Sequence, residues 1–274
     1  MAPRIVDVWA HNLAAEMDRI CALADTYNHV ALDTEFPGVV VRPVGAAQAV
    51  DIHYQTLRCN VDLLRIIQLG ISLSNADGEG PSEVACWQFN FEFSLEQDMY
   101  AQDSIELLTK SGINFAEHER NGIAPNDFAE LLTSSGLVLN DGMKWISFHG
   151  GYDFGYLLKV LTASDLPTAE SEFFELLELY FPQKYDMKYL MRSRENLFGG
   201  LNKLAETYGC ERVGSMHQAG SDSLLTLHVF FRMMRETFGG AIDESLEGIL
   251  YGLGVASDIA PTPVHDDSRP LAAS

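Results

Sequence analysis

Asp33 and Glu35 stand two residues apart at the end of the apolar run HVALDTE. In a strand, residues i and i+2 point to the same face, so the two carboxylates would lie side by side. Carboxylates are the hard oxygen donors that divalent cations take. A D-x-E pair alone is a weak signal in so acidic a chain, because a solvated strand end accounts for it equally well. Here, however, the flanking residues Val30, Ala31, Leu32 and Phe36 are apolar, a poor setting for two idle charges. A third carboxylate, Asp153, follows a strand candidate in KWISFHGGYDFGYLL and falls in the first turn of a helix. The helix dipole by itself would favour an acid there. The segment HQAGSD then offers His217 on a loop and Asp222 from the first turn of a long helix. Histidine titrates close to neutral pH and can move a proton in water. A lone His–Asp pair is usually an ordinary pair or cap. The weight lies in the conjunction and order: D-x-E on an early strand, Asp at a helix start, then H-x4-D before the last long helix.

Those residues need elements to hold them. Asp7 followed by Trp9, Leu13, Met17, Ile20 and Ala24 predicts an amphipathic helix opened by an acidic N-cap. HVALD predicts a strand. LLRIIQLGISLS and EVACWQFNFEF, separated by the break DGEGPS, predict antiparallel strands joined by a loop. Helical patterns cover residues 94–108, 126–133, 171–180, 186–191, 201–208 and 221–238, with one more through GYDFGYLLKVL after the KWISFH strand. The expected architecture is α/β: helices around a small mixed sheet that begins with antiparallel strands. No linker is visible, so residues 1–259 read as one domain. From residue 260 the periodicity gives way to Pro, Asp and Ser, which predicts a flexible tail.

Composition argues in another direction. The chain has 274 residues, with 39 acids against 18 bases, a formal net charge of −21. That charge disfavours a broad basic nucleic-acid surface and any anionic membrane surface. Taken alone it points to an enzyme acting on something other than RNA or DNA. No run reaches the roughly 18 apolar residues of a membrane span, and the N-terminus lacks a signal-peptide core. Cys21, Cys59, Cys86 and Cys210 are far apart and form no C-x-x-C pair, which predicts free thiols.

Longer segments overturn the inference from charge. ALDTEFPGVV, LRCNVDLLRIIQLG, WISFHGGYDFGYLLKVL, YDMKYLM and HQAGSDSLLT resemble the smaller catalytic deadenylase of the CCR–NOT complex, the CAF/POP family of DEDDh exonucleases. The likeness runs from the first helix to about residue 238. It implies a ribonuclease-H-like fold and a 3′-to-5′ exoribonuclease that shortens poly(A) tails of mRNA, releasing 5′-AMP. The family's catalytic acids fall on Asp33, Glu35, Asp153 and Asp222, and its histidine on His217. The resemblance further implies two divalent ions, Mg²⁺ or Mn²⁺. Asp33 would bridge them, Glu35 and Asp222 would complete the ion on the nucleophile side, and Asp153 would hold the ion on the leaving-group side. His217 would be the general base. Two such ions stabilise both the attacking and the leaving oxygen of a phosphodiester. Without them, carboxylates about 4 Å apart would repel by about 4 kcal/mol per pair at an effective dielectric of roughly 20.

The resemblance also implies poly(A) RNA as substrate, a CCR–NOT scaffold subunit and a second deadenylase as partners, and work in the cytoplasm and the nucleus. Bases are scarce but cluster: Lys184, Lys188, Arg192, Arg194 and Lys203 face only Asp186 and Glu195. The fourfold spacing of Lys184, Lys188 and Arg192 predicts one helical face bordering the RNA, with a solvated face as the plain alternative. Phe36 is a candidate base contact, although core packing explains it as well. Two other readings compete: a general DEDDh exonuclease without poly(A) preference, and a scaffold for decay factors.

Overall fold

The computed structural model describes residues 5–42 and 52–254. The expected tail at 260–274 lies outside them. Six strands form one mixed sheet in the order β1-β4-β3-β2-β5-β6. The strands are β1 (Ile5–Val8), β2 (His29–Glu35), β3 (Gln68–Ser74), β4 (Cys86–Asn90), β5 (Lys144–Ser147) and β6 (Gln183–Asp186). β2–β3 and β3–β4 are antiparallel, as expected, while β1–β4, β2–β5 and β5–β6 are parallel. Every residue of β3 and β4 is buried, and β2 is buried up to Glu35.

Helices cover both faces. On one side α1 (Leu13–Ala24), α2 (Ile52–Leu63), α5 (Pro125–Ser134), α6 (Gly151–Thr162) and α7 (Glu170–Tyr180) share a core with Val30, Leu32, Leu69, Ile71, Trp87 and Phe89. On the other, α8 (Met187–Arg192), α9 (Leu201–Tyr208) and α10 (Ala219–Thr237) pack with Ala31 and Ile146. The alternation along β2 therefore assigns faces. Ala31 faces the α10 side, and period two carries Asp33 and Glu35 to that same face. α3 (Gln102–Lys110) and α4 (Phe115–Asn121) close the end of the sheet over Ile67 and Phe93.

Several expectations shift. Asp7 does not cap α1. It lies in β1, and its carboxylate accepts from Gln88 Nε2 (2.8 Å) and Asn90 Nδ2 (3.3 Å) of the neighbouring β4. The helix expected from residue 94 begins only at Gln102, after turns in which Asp98 accepts from the Ser94 N–H. β1, α2, α4 and β6 were not anticipated, because each is short or carries too few apolar residues to show a period. The four cysteines are free thiols.

Candidate active site

β3 lies beside β2 with Gly70 opposite Asp33, Gln68 opposite Glu35 and Ser72 opposite Ala31. On the next strand Gln88 stands opposite Gly70 and Cys86 opposite Ser72. This patch of the sheet is small and polar, and it receives the N-terminus of α10. A Cβ on Gly70 would lie 1.9 Å from the Ala219 carbonyl oxygen, so only glycine admits the helix at this distance. The first amides of α10 have no partner within the helix. The sheet supplies two: Gln68 Oε1 accepts from the Ala219 N–H (3.3 Å) and Gln88 Oε1 from the Gly220 N–H (2.9 Å). Ser72 and Ser223 hydroxyls meet at 2.9 Å, and the Cys86 thiol donates to the Gly220 carbonyl at 3.1 Å. The helix start is thereby pinned above Asp33 and Glu35.

That docking brings the distant motifs together. Asp33, Glu35, His217 and Asp222 line one cleft with Phe148, His149, Leu201, Asn202, Arg212 and Met216. Glu35, His217 and Asp222 each offer a ligand atom, and these atoms lie within 4.8 Å of one another. Asp33 is nearly buried, and the other three are half-buried. His217 adopts φ 58°, a left-handed conformation uncommon for non-glycine residues though enriched in histidine. Two bonds hold it there. Its N–H donates to Asp222 Oδ2 (3.0 Å), and its carbonyl accepts from the Ser111 hydroxyl (2.9 Å).

Asp153 does not line the cleft. It is 1% exposed in the first turn of α6, and its Oδ1 accepts from the Thr34 N–H (2.9 Å) and hydroxyl (2.5 Å). The contact falls on the residue between Asp33 and Glu35. Pairing of β2 with β5 covers only His29–Ala31, so the Asp153 carboxylate takes over where the parallel ladder stops.

The turn before α6 is set by a carboxylate that sequence reading passed over. Asp186 is fully buried and accepts four backbone N–H bonds, from His149 (2.9 Å), Gly150 (3.2 Å), Lys188 (2.9 Å) and Tyr251 (3.0 Å). It holds His149 at φ 62° in the cleft wall, with the ring edge-on to Tyr251. Asp186, expected inside a helix over 186–191, is the N-cap of α8.

The expected basic stripe does not form. Lys184 lies in β6, not on a helix, and is 1% exposed; its ammonium donates to Glu178 (3.2 Å) and to the Phe181 carbonyl (3.3 Å). Lys188 opens α8, but its ammonium is turned to the Gly199 carbonyl (2.6 Å) and over the Phe148 ring. Arg192 at the end of α8 is exposed, above the Tyr251 ring. The fourfold spacing failed because it spans a strand and a helix start. Phe36 is half-buried and stacks on Tyr152 at 5.0 Å, next to Tyr156, which is the packing role.

A six-stranded mixed sheet between helical layers, with a carboxylate-rich cleft at the end of β2, is the ribonuclease-H-like exonuclease fold. Escherichia coli exonuclease I in complex with a dA16 oligonucleotide shares it, with a TM-score of 0.52 over 77% of this chain and 41% of that one, at 14% identity. The chain belongs to the CAF1 family of ribonucleases, whose family model matches residues 8–127. It is 52% identical to the poly(A) ribonuclease pop2 of Schizosaccharomyces pombe over 93% of this chain and 76% of that protein. The structure of S. pombe Pop2p in its Mg²⁺- and Mn²⁺-bound form superimposes with a TM-score of 0.89 at 53% identity, covering 91% of this chain and 99% of that one. Yeast CAF1, co-crystallised with the NOT1 MIF4G domain, gives a TM-score of 0.79 at 35% identity over 90% and 96% of the two chains. Among the described residues no helix is long and apolar enough to cross a membrane.

Proposed function

We propose that this chain is a metal-dependent 3′-to-5′ exoribonuclease that shortens poly(A) and releases 5′-AMP. The observation that carries the reading is the convergence of Glu35, His217 and Asp222 within 4.8 Å, in a cleft that Asp33 also lines. The donor set fits Mg²⁺ or Mn²⁺, since the carboxylates are hard oxygen ligands. Asp33, Glu35 and Asp222, which line the cleft, would hold such ions, with Asp153, buried beside Thr34, as the fourth carboxylate of the set. Bound divalent ions would stabilise the charge that develops on the phosphodiester oxygens.

The protein's own part is positioning and proton transfer. His217 takes the proton of the attacking water on a ring nitrogen, as a general base. Its backbone is tied at both N–H and carbonyl, so the ring enters the cleft from a fixed direction. His149 and Phe148 line the cleft, and the exposed Arg192 is the one member of the basic stripe retained as an RNA contact. Phe36, Lys184 and Lys188 serve the fold. The described residues, 5–42 and 52–254, form the nuclease domain.

The charge of −21 leaves little scope for the counterion release on which basic proteins rely. Tethering raises the local RNA concentration and replaces that affinity. This fits assembly on a NOT1-type scaffold beside a second deadenylase, in the cytoplasm and the nucleus. The test is hydrolysis of labelled RNA ending in oligo(A), compared with oligo(U) and with DNA, across Mg²⁺ and Mn²⁺ titrations. Metal-dependent AMP release from oligo(A) first is expected. Equal rates on all three substrates would make the chain a general exonuclease, and no release would leave the scaffold reading.

A further inference from the structure

Arg212 is the only lysine or arginine among the described residues that line the cleft. Its guanidinium spans three partners. Nη1 meets Asp222 Oδ1 at 2.7 Å and the Ser221 hydroxyl at 2.9 Å, and Nη2 donates to Asn202 Oδ1 at 2.7 Å. The ion pair is sheltered, with the two side chains 16% and 13% exposed. The loop before His217, the start of α10 and the start of α9 are thus joined through one planar group. The other oxygen of Asp222 accepts the His217 N–H. The Asp222 carboxylate is therefore gripped at both oxygens, which sets its rotation. Each oxygen keeps a second lone pair, enough for a cation.

We propose that Arg212 is the positioning residue of Asp222: it presets the carboxylate for a divalent ion and, through Asp222, keeps His217 in its left-handed conformation. This rests on the metal reading of the site given above. A point charge would not suffice. A lysine ammonium carries the same charge but lacks the rigid fork that reaches Asn202 and Asp222 together. Partners that orient a metal ligand typically contribute about 10–100-fold in metal affinity. The opposite sign is the natural rival, because a cation beside three acids repels a metal ion, and its removal would then tighten binding.

The experiment measures Mn²⁺ binding to the purified chain without RNA, by electron paramagnetic resonance and calorimetry, alongside kcat and KM on oligo(A). Wild type, Asp222→Ala, Arg212→Lys, Arg212→Gln and the milder Asn202→Ala are compared, each with its thermal transition. Both Arg212 variants are expected to weaken Mn²⁺ about tenfold and to lower kcat more than KM, with Asn202→Ala moving the same way by a smaller factor. A merely structural role would lower the melting temperature and leave the Mn²⁺ isotherm of the folded protein unchanged, which overturns the proposal. So does Arg212→Lys with wild-type affinity, or Arg212→Gln with tighter binding. If Asp222→Ala itself binds Mn²⁺ normally, the metal reading at Asp222 falls and this inference with it. Should Arg212→Gln fail to fold, Asn202→Ala decides by the same isotherm.

Discussion

The two halves of the cleft are built by different means. Asp33 and Glu35 belong to a strand paired with β3 along all seven of its residues. Their positions follow from the sheet ladder, and a side chain lost nearby would scarcely move them. His217 and Asp222 sit where a coil enters a helix. They depend on a set of side-chain bonds, from Gln68, Gln88, Ser111 and Arg212, and on the missing Cβ of Gly70. The difference shows how one site can combine a rigid floor with a wall that must be fastened. It also predicts where mutations remote from the chemistry will be felt.

The largest effects come from removing the reacting groups themselves, and they differ between halves. Asp33→Ala should abolish hydrolysis at every Mg²⁺ and Mn²⁺ concentration, because the floor of the site cannot be replaced by its neighbours. His217→Ala should leave a measurable enzyme, with kcat lowered about 10²–10⁴-fold, the range of a lost general base. AMP release in a metal titration measures both. Near-wild-type turnover from either variant would remove the role assigned to that residue.

The next effect concerns the far end of the same pair of elements. His29 opens β2, and its ring meets Phe231 of α10 at 5.2 Å, so β2 and α10 are joined there as well as at the cleft. Burial, with the charge of Lys144, pushes the His29 pKa down to about 4. Unfolded, the group titrates near 6.5, so between those values the unfolded chain binds a proton that the folded chain refuses. Stability from this residue is whole above about pH 6.5 and is lost as pH falls towards 4, by up to about 3 kcal/mol. Urea unfolding of wild type and His29→Gln between pH 7 and pH 4 measures it. The variant should show a flatter decline, and parallel curves would mean that α10 is not held at this end by a neutral histidine.

How much of this was legible follows the same division. The strand half was readable because period two and an apolar surround leave few explanations for paired acids, and HVALD became β2. The motif HQAGSD was readable as a loop entering a helix. Its fastening was not, since Gln68, Gln88, Ser111 and Arg212 come from distant segments and none carries a pattern. One clue was present: a glycine inside the strand QLGISLS marks a close backbone approach, and Gly70 provides it for Ala219. The basic stripe failed for the converse reason. Spacing by four implies a helical face only where one helix covers all three residues, and Lys184 lies in a strand. Asp186 was legible as a residue near a helix start but not as the acceptor of four amides, three of them from segments far along the chain. Net charge misled because it reports a whole surface, whereas the site concerns a few residues in one cleft.

The smallest effect separates the halves most directly, because it removes one hydrogen-bonding side chain from each. Gln88→Leu takes the acceptor from the buried Gly220 N–H, where replacement by water is poor, and removes the Gln88 donor from the exposed Asp7 carboxylate. The start of α10 should loosen, and kcat should fall about tenfold, equivalent to roughly 1.4 kcal/mol and the scale of one buried hydrogen bond. Thr34→Val removes the hydroxyl bond to Asp153, but the Thr34 N–H still donates to the same oxygen and β2 stays in its ladder. Its kcat should change by no more than about threefold, the effect of well under 1 kcal/mol. Single-turnover rates on oligo(A) at saturating metal compare the two without interference from product release. If Thr34→Val proves the more damaging, the floor of the site depends on side chains as much as its wall does, and the contrast between ladder-held and side-chain-held acids is wrong.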